Sequence, residues 1–188
     1  MASEGPNSPG TMANETSVGS VAWGNVNDAV SSNDTYATNN IVGSQSNYLK
    51  STNFGFALPL GATIVGIVAE FERKWNGLFS GATDTSIRLV KNGTIQGDNK
   101  SAGAAWSATE AYVSFGGAAD LWGLTPSRDD VNASDFGVVI SATGGGGAGN
   151  NISVDHVRMT VYYTTESVAV GGAAGHGGMM RRVRVAGY

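Results

Sequence analysis

The sequence predicts an all-β protein: a jelly-roll-like β-sandwich with flexible N- and C-terminal arms. Three observations carry this. Apolar residues recur at period two in several short runs. Turn residues separate those runs at roughly even spacing, and 28 of the 188 residues are glycine. Only one short segment carries a helix-start signal. An immunoglobulin-like sandwich is the alternative arrangement of the same strands.

Residues 1–20, "MASEGPNSPGTMANETSVGS", are polar, rich in Gly and Pro, and without hydrophobic period. They read as an extended arm. The domain then runs over residues 21–165 and opens at "VAWGN", with Trp23 as a core anchor. "TYATNNIV" (35–42) and "NYLKSTNFGFALP" (47–59) read as strands. In the second, Tyr48, Lys50, Thr52, Phe54 and Phe56 share a face. Pro59 and Gly61 mark a turn.

"ATIVGIVAEFERKW" (62–75) is the clearest strand. Val65, Ile67, Ala69 and Phe71 lie on one face, and Ile64 and Val68 on the other, which becomes polar at Glu70 and Glu72. The strand thus starts buried on both faces and then emerges into solvent. "TSIRLVKNGTIQGD" (85–98) is a hairpin around Asn92-Gly93, two residues that tolerate the positive φ of a type I′ turn. "EAYVSFGG" (110–117) and "DFGVVISAT" (135–143) follow as strands. In "ISVDHVRMTVYYT" (152–164), Val157, Met159, Val161 and Tyr163 face in, and His156, Arg158, Thr160 and Tyr162 face out. "TPSRDDVNASD" (125–135) is the helical segment, capped by Thr125 with Pro126 at the first position. The expected core is Trp23, Phe54, Phe56, Ile67, Phe71, Leu89, Trp122, Phe136, Val157, Met159 and Val161.

Charged residues make up 14 % of the chain, against about 25 % in typical soluble domains. With no cysteine there is no disulfide framework and no thiolate chemistry. No apolar run approaches the roughly 20 residues of a membrane span. The first residues lack the basic and apolar regions of a secretion signal. The net charge of −4 is uneven: three arginines against Glu166 give residues 166–188 a charge of +2, leaving −6 on the rest. An acidic body argues against nucleic-acid binding.

No catalytic set is visible. Neighbours in a strand point to opposite faces, so Asp155 does not orient His156, which reads as an outward sheet histidine. His176 lies among glycines without convergent ligands, and no metal or cofactor is expected. Glu70 and Glu72 share one face of a strand, about 7 Å apart, and read as a solvated strand end. "TGGGGAGNN" (143–151) lacks the Gly-Lys-Ser/Thr ending of a phosphate loop and reads as a long hairpin loop. Trp75 and Trp106 lie beside loops. They are the candidates for a sugar-stacking platform, so carbohydrate binding is the second functional reading.

Four segments together carry a resemblance: "FGFALPLGATIVGIVAEFERK" (54–74), "SIRLVKNGTIQGDNK" (86–100), "ADLWGLTPSRDDVNASDFGVVISA" (119–142) and "SVDHVRMTVYYT" (153–164). Their order resembles small β-sandwich proteins found among tailed-bacteriophage structural genes. The resemblance covers residues 20–165 and consists of framework motifs without catalytic residues. It implies a non-enzymatic virion component assembled in the host cytoplasm, either a capsid decoration (cement) protein or a head or tail fibre module.

Residues 166–188 lie beyond the matched region. They join a glycine-rich leash to "MRRVRVAGY", in which Val183 and Val185 share one face and Arg182 and Arg184 the other. That is a strand pattern. Fully extended, the 23 residues reach roughly 75–80 Å. The expectation is a docking arm. Arg181, Arg182, Val183, Arg184, Val185 and Tyr188 would add to a sheet edge of a sibling subunit, in a trimer or other symmetric oligomer, or of a capsid shell subunit.

Overall fold

The computed structural model describes residues 1–77, 81–146 and 151–165. They form a β-sandwich of two five-stranded antiparallel sheets. The strands are β1 (Ala2–Asn7), β2 (Thr11–Glu15), β3 (Ala37–Asn40), β4 (Tyr48–Thr52), β5 (Ala62–Asn76), β6 (Ala82–Lys91), β7 (Thr94–Gln96), β8 (Ala111–Gly117), β9 (Gly137–Gly144) and β10 (Asn151–Thr165). A 3-10 helix spans Val26–Ala29, and a short helix α1 spans Arg128–Asn132. The first sheet has the order β1-β10-β5-β8, with β3 also pairing along β10. The second has the order β2-β4-β9-β6-β7. Only β6 and β7 follow one another within a sheet; every other connection crosses between the two.

The spine of the first sheet is the pairing of β5 with β10, two strands of 15 residues. It runs from Asn76 opposite Asn151 to Ala62 opposite Thr165, about 50 Å by strand rise. Two bulges interrupt it, one on β5 at Val65 and one on β10 at Asp155. Each extra residue shifts the inward phase by one. Hence β5 buries Ile64, Ile67, Ala69 and Phe71, while Val65, expected on the same face as Ile67, is only half-buried. On β10, Ile152 and Val154 before the bulge and Val157, Met159 and Val161 after it all reach the core.

All eleven expected core residues are buried. Full burial of a large apolar side chain contributes about 1.5–3 kcal/mol. The two core indoles also satisfy their polar atoms: Trp23 Nε1 donates to Asn47 O at 2.8 Å, and Trp122 Nε1 to Ile67 O at 3.0 Å. The Asn92-Gly93 hairpin is present, with φ of 52° and 70°.

Several expectations are corrected. Residues 1–20 are not an arm outside the sandwich: β1 pairs with β10 and β2 with β4. Pro6 is accommodated because β1 is an edge strand, and its register shifts between Glu4 and Asn7. The strand at 47–59 stops at Thr52, because Asn53 and Gly55 take positive φ; Phe54 and Phe56 are buried from a loop. The cap of α1 is Ser127, which forms a capping box with Asp130, rather than Thr125. The segment 143–151 joins β9 to β10 across the two sheets and is no hairpin loop.

One ion pair ties the sheets together. Arg73 on β5 meets Asp84 on β6 in a bidentate contact, with both residues 3 % exposed. Trp106 closes it. The indole Nε1 donates to Asp84 Oδ1 at 2.9 Å, and the Arg73 guanidinium lies 4.3 Å from the ring centroid. Burial pushes the Asp84 carboxyl up, and Arg73 and Trp106 offset only part of that.

Breaking a buried pair leaves an uncompensated charge. Asp84→Ala should therefore cost about 3–5 kcal/mol in denaturant unfolding. The double variant Arg73→Met/Asp84→Leu should recover most of that loss. A double variant as unstable as the sum of its singles would contradict this reading of the pair.

Candidate functional site

The strongest candidate is a groove at one end of the sandwich. The chain enters β5 through a tight turn in which Ala62 N donates to Pro59 O at 3.2 Å and Gly61 takes φ 76°. That turn holds Leu60 out in solvent, 84 % exposed. Leu60, Ala62, Thr63 and Ile64 form one wall, and Leu121 with residues 125–129 the other, around about 540 Å³.

The second wall is firmly held. Asn132 brackets Leu58, donating to its carbonyl at 3.1 Å and accepting its N–H at 2.9 Å. Arg128 Nε donates to the same carbonyl at 2.8 Å. Lys91 pairs with Asp130 at 3.3 Å.

The groove exists because β5 outruns its neighbour. β8 pairs with β5 only from Ile67 to Arg73. Beyond that, Asp120 O takes the Ile67 N–H at 3.0 Å, and the segment leading to α1 turns away. Residues 62–66 thus have no strand partner on that side among the described residues. A largely apolar hollow beside an unpaired strand start is suited to binding an extended peptide.

A second feature lies on the outer face of the first sheet, in two cross-strand rows. His156, Glu72 and Tyr112 stand opposite one another on β10, β5 and β8, as do Arg158, Glu70 and Ser114. Arg158 Nε donates to Glu70 at 2.8 Å, and its guanidinium lies 3.7 Å from the centroid of the Tyr112 ring. This hydrogen bond, followed by the charge of Arg158, holds the Glu70 carboxyl below its usual value against the effect of burial. Glu70 and Glu72, expected as a solvated strand end, are half-buried and belong to these rows.

His156 is outward, as expected, yet only 9 % exposed. Ser8, in the turn between β1 and β2, lies 2.8 Å from Nε2, and the Tyr112 hydroxyl lies 2.8 Å from Nδ1. Ser8 and His156 stand at nucleophile–base distance. The serine lines neither the groove nor the smaller hollow beside Lys50 and Gly93, and its contact latches the N-terminal segment to the sheet.

The bulge at Asp155 also gathers three carboxylates. Ligand oxygens of Asp34, Glu110 and Asp155 lie within 4.8 Å of one another. A cation is already at hand, since Lys74 Nζ sits 2.7 Å from Glu110 and 2.7 Å from the Tyr36 hydroxyl. Those bonds raise the Lys74 pKa. Asp155 itself accepts the Asn33 N–H at 3.2 Å, and burial raises its pKa.

The tryptophan expectation is corrected. Trp106 is 4 % exposed and committed to Asp84. Trp75 is half-buried against the core, with its Nε1 enclosed. The pair offers no stacking platform. The predicted docking residues Arg181, Arg182, Val183, Arg184, Val185 and Tyr188 lie outside the described residues. No helix among the described residues is long and apolar enough to cross a membrane. No family model, curated protein or solved structure matches this chain.

The His156 contact predicts a pH dependence. Burial lowers the His156 pKa from 6.5; Glu72, Asp155 and Glu70 oppose the shift and Arg158 adds to it. The unfolded chain therefore takes up the proton first. Stability should be fully present above about pH 6.5 and fall as pH drops through the folded value. His156→Gln should flatten this step in denaturant midpoints measured from pH 7.5 to 5. An unchanged step would show that other groups produce it.

Proposed function

We propose that the chain is a non-enzymatic structural protein of a bacteriophage virion, a capsid decoration protein or head or tail fibre component that joins its assembly by docking. The observation that supports docking is the groove at the start of β5, where an 84 %-exposed leucine stands beside an unpaired strand start. A concave hollow of this size, with apolar walls and a few polar groups, is the usual form of a binding site. The phage assignment rests on the framework motifs at 54–74, 86–100, 119–142 and 153–164.

The rest of the surface supports binding over catalysis. On the outer face Arg158 is paired with Glu70, and the Ser8 hydroxyl is engaged with His156. The docking segment is residues 166–188; the N-terminal residues are committed to the two sheets. Partners are sibling copies or a shell subunit. The carbohydrate alternative has no exposed tryptophan pair to support it.

Light scattering on the full chain and on a chain ending at Thr165 tests the proposal, together with co-sedimentation of both on phage capsids. Every described strand and core residue lies at or before Thr165, so the shorter chain keeps the sandwich. The expected result is that truncation abolishes either self-association or capsid binding. If the two chains behave alike in both assays, the docking reading fails.

A further inference from the structure

We propose that the groove at the start of β5 is the receptor for the C-terminal tip of the same chain, residues 179–188. The tip lies along Ala62–Ile64 as an added strand and covers Leu60. This deepens the docking reading and rests on it: the arm has a resting place on its own body, from which a partner must draw it.

Three observations converge on this occupant. The first is position. β10 ends at Thr165 directly opposite Ala62, and Thr164 stands opposite Thr63. The leash therefore leaves the sandwich on one flank of the strand start whose other flank borders the groove. Crossing one strand is a distance of roughly 10 Å, and the leash is many times longer.

The second is pattern. A binding edge of this kind takes an extended peptide through main-chain hydrogen bonds, with alternate side chains directed into the hollow. In "MRRVRVAGY" Val183 and Val185 supply the apolar face, and Arg182 and Arg184 the polar one. The wall they would meet is apolar at Leu60, Ile64 and Leu121.

The third is charge. The tail carries +2 and the remainder −6. Asp129, on the rim of the groove, is 82 % exposed at its side chain but already pairs with Arg128 of the same wall at 2.6 Å, so the attraction is that of the acidic body as a whole. Tethering settles own chain against sibling: a short flexible linker gives millimolar effective concentration, far above that of sibling copies in dilute solution.

The chain has no cysteine, so disulfide trapping in the full-length protein is clean. One variant carries Thr63→Cys with Val183→Cys. The control carries Ala102→Cys with Val183→Cys. Ala102 lies near Asp84, whose partner Arg73 is roughly 30 Å along β5 from Thr63, still within reach of a free leash.

The expected result is an intramolecular disulfide forming at least about tenfold faster in the groove pair than in the control. Adding Leu60→Lys should remove that advantage; in the chain ending at Thr165, where no tip covers Leu60, the same change should leave thermal unfolding unchanged. Equal rates in the two pairs would overturn the proposal, as would a groove disulfide that forms only between chains. If the rates are equal but truncation at Thr165 still abolishes association, the docking reading stands and the groove is not the receptor. If truncation also has no effect, both fall.

Discussion

The structure depends on the ladder between β5 and β10. Two strands of 15 residues pair over their whole length, and β1, β3 and β8 are placed by what they find along the ladder's flanks. Which side chains enter the core is decided by the bulges at Val65 and Asp155. Without them, the alternation that buries Ile67, Ala69 and Phe71 would also carry Val65 inward and leave Ile64 outside. The far end of the ladder is fixed to the second sheet by Arg73 and Asp84. The near end outruns β8, and the groove is the space so left.

Ends of the same ladder thus have opposite characters. At the Arg73 end, a charged pair is removed from water and enclosed by Trp106, an arrangement that ties two sheets but offers nothing to a partner. At the Ala62 end, a leucine stands in solvent and a strand start lacks its neighbour on one side. The outer face between them is polar, with Arg158 held by Glu70 and His156 held by Ser8 and Tyr112. Binding at the open end is therefore the reading in which the exposed apolar surface has a use.

Much of the sandwich is legible in the sequence, because period two and the Asn-Gly turn are local signals. Eight of the ten strands and the whole expected core follow from them. β1 and β2 do not, because "SEGPNSPG" reads as chain-breaking; it is tolerated on a sheet edge, where a proline's missing N–H harms no ladder. The bulges are invisible because they are decided by the partner strand. The outer-face rows are invisible for the same reason: His156, Glu72 and Tyr112 become neighbours only once register is set. Trp106 looked exposed because it neighbours loop residues, yet its indole is drawn inward by Asp84. The groove had one sequence signal, the leucine between Pro59 and Gly61, in a turn that gives it no room to fold back.

Hydrogen exchange along β5, compared between the full chain and the chain ending at Thr165, tests this account most directly. Residues 67–73, paired on both sides, should exchange last in both chains. Residues 62–66 should be protected in the full chain and exchange much earlier in the shorter one. Equal protection of 62–66 in the two chains would contradict it, because the open start of β5 would then not be where the tail binds.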